Sequence, residues 1–224
     1  AVRAQMEAVL ADIGADCLKT GMLGEKALIE MLAEAFADLA PAVPRVIDPV
    51  MVATSGDRLL PREAVDAVRA LMVPGAELVT PNAPEAEVLT GKAVDSVDGQ
   101  RRAAERLLEA GADAALVKGG HIPGDVIVDV LATQQGEHFL DGPRIGTGSM
   151  HGTGCTLASG IAAGLARGLS LLDATHLAKA YLTEAIRSAQ PLGRGHRPVH
   201  HGWPAEAPER FAGMYARWRP RPKA

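Results

Sequence analysis

Short apolar runs and longer amphipathic stretches alternate along most of this chain. The run in "ADCLKTGML" reads as a strand and turn, and apolar positions at helical spacing follow from about Glu25 to Leu39. "VPRVIDPVM" is a second strand, ending at an acid and a proline. After the loop "VATSGDRLL", "PREAVDAVRALM" opens with Pro61, whose missing N–H costs nothing at a helix start. "AELVTPN" predicts another strand, "APEAEVLTG" a short helix closed by Gly91, and "VDGQRRAAERLLEAG" an amphipathic helix ending at Gly111. "ADAALVKGGH" is a strand that breaks into glycines, and the opening "AVRAQMEAVLADIGADC" starts inside a helical pattern.

Then the rhythm changes. "VIVDVLAT" and "EHFLDGPRI", joined by "QQG", read as two strands around a tight turn, an antiparallel hairpin at the sheet edge. Two helices are expected at about Thr153 to Arg167 and Leu171 to Ala189. A Pro- and Arg-rich tail, "WPAEAPERFAGMYARWRPRPKA", is expected on the surface. Alternation of this kind implies a mainly parallel sheet with helices on both faces, a three-layer α/β/α domain.

Composition narrows the function classes. At 224 residues, 47% apolar and 22% charged, the chain suits one large α/β domain with a substantial core. A net charge of −4 and 3% aromatic residues give no footing for nucleic acid or an acidic membrane. No run is long and apolar enough for a membrane span. Cys17 and Cys155 stand far apart and form no C-x-x-C pair, which points away from a disulfide framework and toward a reducing cytoplasm.

The polar residues fall in a pattern. Ligands of open parallel sheets bind beyond the C-terminal ends of the strands, and here each apolar run ends in a polar cluster. These are Lys19-Thr20-Gly21, Asp48-Pro49, Thr80-Pro81-Asn82 and Lys118-Gly119-Gly120-His121. Taken singly, Asp48 reads as a turn acid, Glu85 as a first-turn acid favoured by the helix dipole, and Lys118 as a solvated strand end. Together, acids and a lysine on one edge suit a nucleotide phosphate and Mg²⁺, held largely through water. Downstream, "HGTGCT" (His151 to Thr156) places a thiol where a glycine turn opens a helix. Free N–H groups there attract an anion and favour thiolate, while small residues equally suit a close helix–sheet contact. Neither the P-loop consensus nor the protein-kinase motif set is present.

Six blocks occur in the order seen in one family: "KTGMLG", "DPVMVATSGD", "TPNAPEAEVLTG", "LVKGGH", "HGTGCTLASGIAAGLARG" and "GRGHRPVHHG". Over about Val2 to Gly202 the chain closely resembles the hydroxymethylpyrimidine/phosphomethylpyrimidine kinases of thiamine biosynthesis, which have a ribokinase-like fold. The resemblance implies a kinase domain over 1–202 and a C-terminal extension over 203–224. It implies two ATP-dependent phosphorylations, first of 4-amino-5-hydroxymethyl-2-methylpyrimidine and then of its monophosphate. Gly152, Thr153, Gly154 and Cys155 match the family's anion hole, with Cys155 as base or proton relay where most of the superfamily carries an aspartate. Asn82 and Glu85 match the N-x-x-E motif that organises Mg²⁺, with Asp48 near that metal and Lys118 on the ATP phosphates. Met22 and Val52 match positions lining the pyrimidine pocket, although Met22 reads equally as core. Thr54 stands where family members often carry Lys. The family's opening strand and glycine-rich turn are not in this sequence, so the chain is expected to be a fragment. Homodimerisation is implied by analogy. The rival activities are pyridoxal kinase, which shares the fold, and a non-catalytic sensor of the pyrimidine or its phosphate.

Overall fold

The computed structural model describes residues 1–51, 60–146 and 150–218. The chain forms two compact units, Ala1–Arg144 and Ile145–Ala224.

In the first unit, helix α1 (Val2–Asp12) precedes β1 (Leu18–Thr20), α2 (Lys26–Leu39), β2 (Arg45–Ile47) and α3 (Arg62–Ala67), which runs on into a π-helical turn at Val68–Met72. Then come β3 (Leu78–Val79), α4 (Ala83–Thr90), α5 (Val97–Glu109), β4 (Ala114–Val117), β5 (Val126–Thr133) and β6 (Gly136–Pro143). The six strands lie in sequence order, with β1 to β4 parallel and β5 and β6 antiparallel. This is the edge hairpin that "VIVDVLAT-QQG-EHFLDGPRI" predicts.

Strands β3 and β4 are short and wholly apolar because neighbours bury them on both faces. Val46, Ile47, Leu78, Val79 and all of β4 are buried. Ile29, Leu32 and Phe36 of α2 and Ala103, Ala104 and Leu107 of α5 form one core with Ile47, Val79, Ala115 and Val117. Helix starts follow their chemistry: Asn82 and Ser96 cap α4 and α5 with side-chain oxygens. Gly91, at φ +70°, ends α4 in the left-handed conformation that glycine tolerates.

In the second unit, β7 (Met150–His151) pairs in parallel with β8 (Arg197–Pro198) around α6 (Thr153–Ala166) and α7 (Leu171–Arg187). The glycines of α6 answer part of the question posed by its sequence. A Cβ at Gly160 would come within 2.9 Å of Ala178 Cβ, and one at Gly164 within 2.8 Å of Ala174 Cβ. The small residues therefore serve a close helix–helix contact with α7.

One residue of the tail departs from the surface position expected of it. Trp203 opens α8 (Trp203–Glu206) and is 3% exposed, clustered with Ala185, Val199, Tyr181 and Phe211 of α9 (Pro208–Ala216). Aromatic residues spaced through the tail supply an apolar surface that its prolines and arginines obscure in the sequence.

Candidate active site

The strand ends of the first unit bring their polar clusters together. Asp48, just past β2, is 1% exposed. Its Oδ1 accepts from Thr80 Oγ1 at 3.1 Å and lies 3.1 Å from Lys118 Nζ, 70 residues away in sequence. Lys19 Nζ stands 3.7 Å from Oδ2. One buried carboxylate therefore balances two lysines whose side chains are 13% and 19% exposed.

Asn82 and Glu85 form a capping box on α4. The Asn82 side chain accepts from the Glu85 N–H at 2.9 Å, and the Glu85 carboxylate accepts from the Asn82 N–H at 2.8 Å. This is the local role that Glu85 would have without any ligand, and it also holds the carboxylate near Asp48 and Lys118. Burial raises the Glu85 pKa first of all; Asp48 adds to the rise, while Lys118 and hydrogen bonds from the backbone oppose it.

Lys118 itself belongs to the turn "KGGH". Its backbone N–H donates to the Pro81 carbonyl at 2.9 Å, drawing the end of β4 toward Asn82. Beyond it, Arg144 spends its guanidinium on three carbonyls of the following loop: Gly120 (2.8 Å), Ile122 (2.6 Å) and Gly124 (2.7 Å). The pKa of His121 is lowered, first by displacement of water around the ring and then by the Lys118 and Arg144 cations.

The residues present suit a hydrated divalent cation. Asp48 Oδ2 and Thr20 Oγ1 are buried oxygens without a hydrogen-bond partner among the described residues, on the same edge as Glu85. No group of three His, Cys, Asp or Glu side chains among the described residues is arranged to grip a metal by itself. Mg²⁺ needs no such grip, because it uses one or two carboxylates and keeps several waters.

Met22, in the connection after β1, is 62% exposed, so it is not a core residue. Val52 and Thr54 lie outside the described residues. Gly152 to Cys155 belong to the second unit. There Gly152, at φ +86°, turns the chain into α6, and Thr156 Oγ1 returns a bond of 2.6 Å to the Gly152 carbonyl. The N–H groups of Thr153, Gly154 and Cys155 occupy the first turn, where no helical carbonyl precedes them. The two thiols differ: Cys155 is exposed, whereas burial pushes Cys17 up to about 11. Lys19 and Thr80 belong to the strand-end clusters marked in the sequence, but nothing local signals that both converge on Asp48.

Solved structures group this mixed sheet, with its acid–lysine cluster at the strand ends, with the ribokinase-like small-molecule kinases. The fold matches a Bacillus subtilis pyridoxal kinase solved as an ADP complex, with a TM-score of 0.84 and 33% identity over 90% of this chain and 76% of that one. It also matches the phosphomethylpyrimidine kinase of Clostridium difficile, with a TM-score of 0.72 and 36% identity over 83% of this chain and 75% of that one. In sequence it is 47% identical over 203 residues to the hydroxymethylpyrimidine/phosphomethylpyrimidine kinase of Streptomyces coelicolor, covering 91% of this chain and 74% of that relative. A family model described as Phosphomethylpyrimidine kinase matches residues 1–200. The chain belongs to the phosphomethylpyrimidine kinase family. No helix among the described residues is long and apolar enough to cross a membrane.

Proposed function

We propose that this chain transfers the γ-phosphoryl group of ATP to the hydroxymethyl oxygen of 4-amino-5-hydroxymethyl-2-methylpyrimidine, and then a second one to the resulting monophosphate, for thiamine biosynthesis. The observation that carries this reading is the convergence of Asp48, Glu85 and Lys118 at the strand ends of a chain from this family.

Phosphoryl transfer asks mainly for positioning and charge stabilisation. Lys118 offers the ATP phosphates a point charge, held in place by Asp48. Mg²⁺, when bound, neutralises charge on the phosphates; Asp48 and Glu85 would hold it through water, with the Asn82 N–H fixing the Glu85 rotamer. The N–H groups of Thr153, Gly154 and Cys155 stabilise the transferring group. Cys155 accepts the hydroxyl proton on Sγ as the new P–O bond forms, the bond to the β-phosphate oxygen breaks and ADP leaves. Met22 lines the pyrimidine side. The kinase domain ends near residue 202, and the rest is an extension. The two free cysteines fit a reducing cytoplasm, and the working form is a homodimer that takes small molecules and not nucleic acid.

Pyridoxal kinase is the second reading, favoured by the TM-score of 0.84 to the Bacillus subtilis enzyme. ADP release with Mg²⁺-ATP, comparing the hydroxymethylpyrimidine with pyridoxal, separates them. Release with the pyrimidine is expected; release with pyridoxal alone would replace the first reading, and binding of the pyrimidine without ADP release would indicate a sensor. Cys155→Ala is expected to lose roughly 10²-fold or more in kcat with pyrimidine binding kept, the usual scale for a general base. A near-normal kcat would remove the base role and leave the anion hole.

A further inference from the structure

Gln100 is fully buried on α5, among Ala103, Ala104 and Leu107 of the same helical face. Its side-chain amide Nε2 donates to two carbonyls, Val117 O at 2.9 Å and Val128 O at 2.8 Å, one on each side of the β4–β5 seam. That seam ends there. The antiparallel register runs from Ala114↔Thr133 to Val117↔Val130 and would set Lys118 opposite Asp129 next. Instead Lys118 turns the other way, to Pro81 and Asn82. Gly119 N–H then donates to the Asp129 carboxylate at 2.8 Å, and a Cβ at Gly119 would collide with the Val128 carbonyl.

We infer that Gln100 is a positioning residue for Lys118. By bonding both carbonyls where the strands part, it holds the split open and directs the lysine to Asp48. The Gln100 Oε1 has no hydrogen-bond partner among the described residues. A buried carboxamide with an unanswered oxygen is a poor core filler compared with leucine. Its donors therefore justify its place at this position. The inference about position stands on geometry alone, and its catalytic consequence rests on the proposed contact of Lys118 with ATP.

The test is Gln100→Met, which keeps length and removes the donors, beside Leu107→Ala, which weakens the same helix face without removing a hydrogen bond where the strands part. Acetic anhydride labelling read by mass spectrometry reports the reactivity of Lys118 against exposed Lys92. In Gln100→Met, Lys118 is expected to label several-fold faster and KM for ATP to rise roughly 10- to 100-fold, with KM for the acceptor unchanged. Leu107→Ala is expected to lower the melting temperature and move neither quantity. An unchanged Lys118 labelling rate would overturn the inference. Faster labelling with an unchanged KM for ATP would support it while removing Lys118 from the phosphate site. Should Gln100→Met not fold, the wild-type protein decides. Slow solvent exchange of the Gln100 carboxamide protons by NMR supports the inference, and exchange as fast as that of exposed Gln5 overturns it.

Discussion

Replacing Asp48 by asparagine probes the centre of the strand-end cluster with almost no change of shape. The amide oxygen can still accept from Thr80 Oγ1, now 3.1 Å from Oδ1, so that bond survives. What goes is the negative charge between Lys118 at 3.1 Å and Lys19 at 3.7 Å. Removing one member of a buried ion pair costs roughly 3–5 kcal/mol, because the other is left buried and uncompensated. Both lysines keep some access to water, which places the expected loss near the lower bound, at about 3 kcal/mol. For a chain of this size that corresponds to a fall in melting temperature of roughly 6–12 °C. Urea unfolding followed by circular dichroism should show a lower midpoint with an unchanged m-value. Adding Lys118→Met to Asp48→Asn should recover part of the loss, because it removes one of the stranded charges. A single-mutant loss below about 1 kcal/mol, or double-mutant additivity within roughly 0.5 kcal/mol, would refute the reasoning.

Two further substitutions separate structural from chemical roles. Glu85→Gln should keep the capping box, since a glutamine oxygen can accept from the Asn82 N–H. The raised pKa of Glu85 means that its charged form opposes folding, a penalty absent below its unfolded pKa and growing as pH rises through the folded one. The variant should therefore melt at or above the wild type at pH 7, with the difference vanishing toward pH 4, yet lose roughly 10- to 100-fold in Mg²⁺-ATP turnover. Earlier melting at pH 7 would contradict this. Trp203→Ala should cost roughly 3–5 kcal/mol, because its ring lies 5.6 Å from Tyr181 and 5.7 Å from Phe211 in the second unit's core. Trp203→Phe should cost much less, since the indole N–H it removes is buried without a partner among the described residues. Equal losses for the two variants, measured by thermal melting, would show that packing is not what Trp203 supplies.

Much of this protein is written locally. The order of strands and helices, the caps at Asn82 and Ser96, the stop at Gly91 and the edge hairpin all follow from periodicity, capping chemistry and turn residues. These report on backbone within a few residues, which is the range over which a side chain can influence its own segment. The motif blocks likewise single out Asp48, Glu85, Lys118 and the Gly152 turn as candidates without a fold. Tertiary structure alone decides what those residues touch. That Asp48 is shared by Lys19 and Lys118 depends on the order and register of β1 to β4 across the sheet, and no local pattern carries that information. The two-residue pairing of β7 with β8 is too short to leave a periodic trace. Trp203 is buried because α7 presents Tyr181 and Ala185, and α9 presents Phe211, to it. Gln100 looks like any polar residue on an amphipathic helix until β4 and β5 part beneath it and leave two carbonyls for its amide to meet.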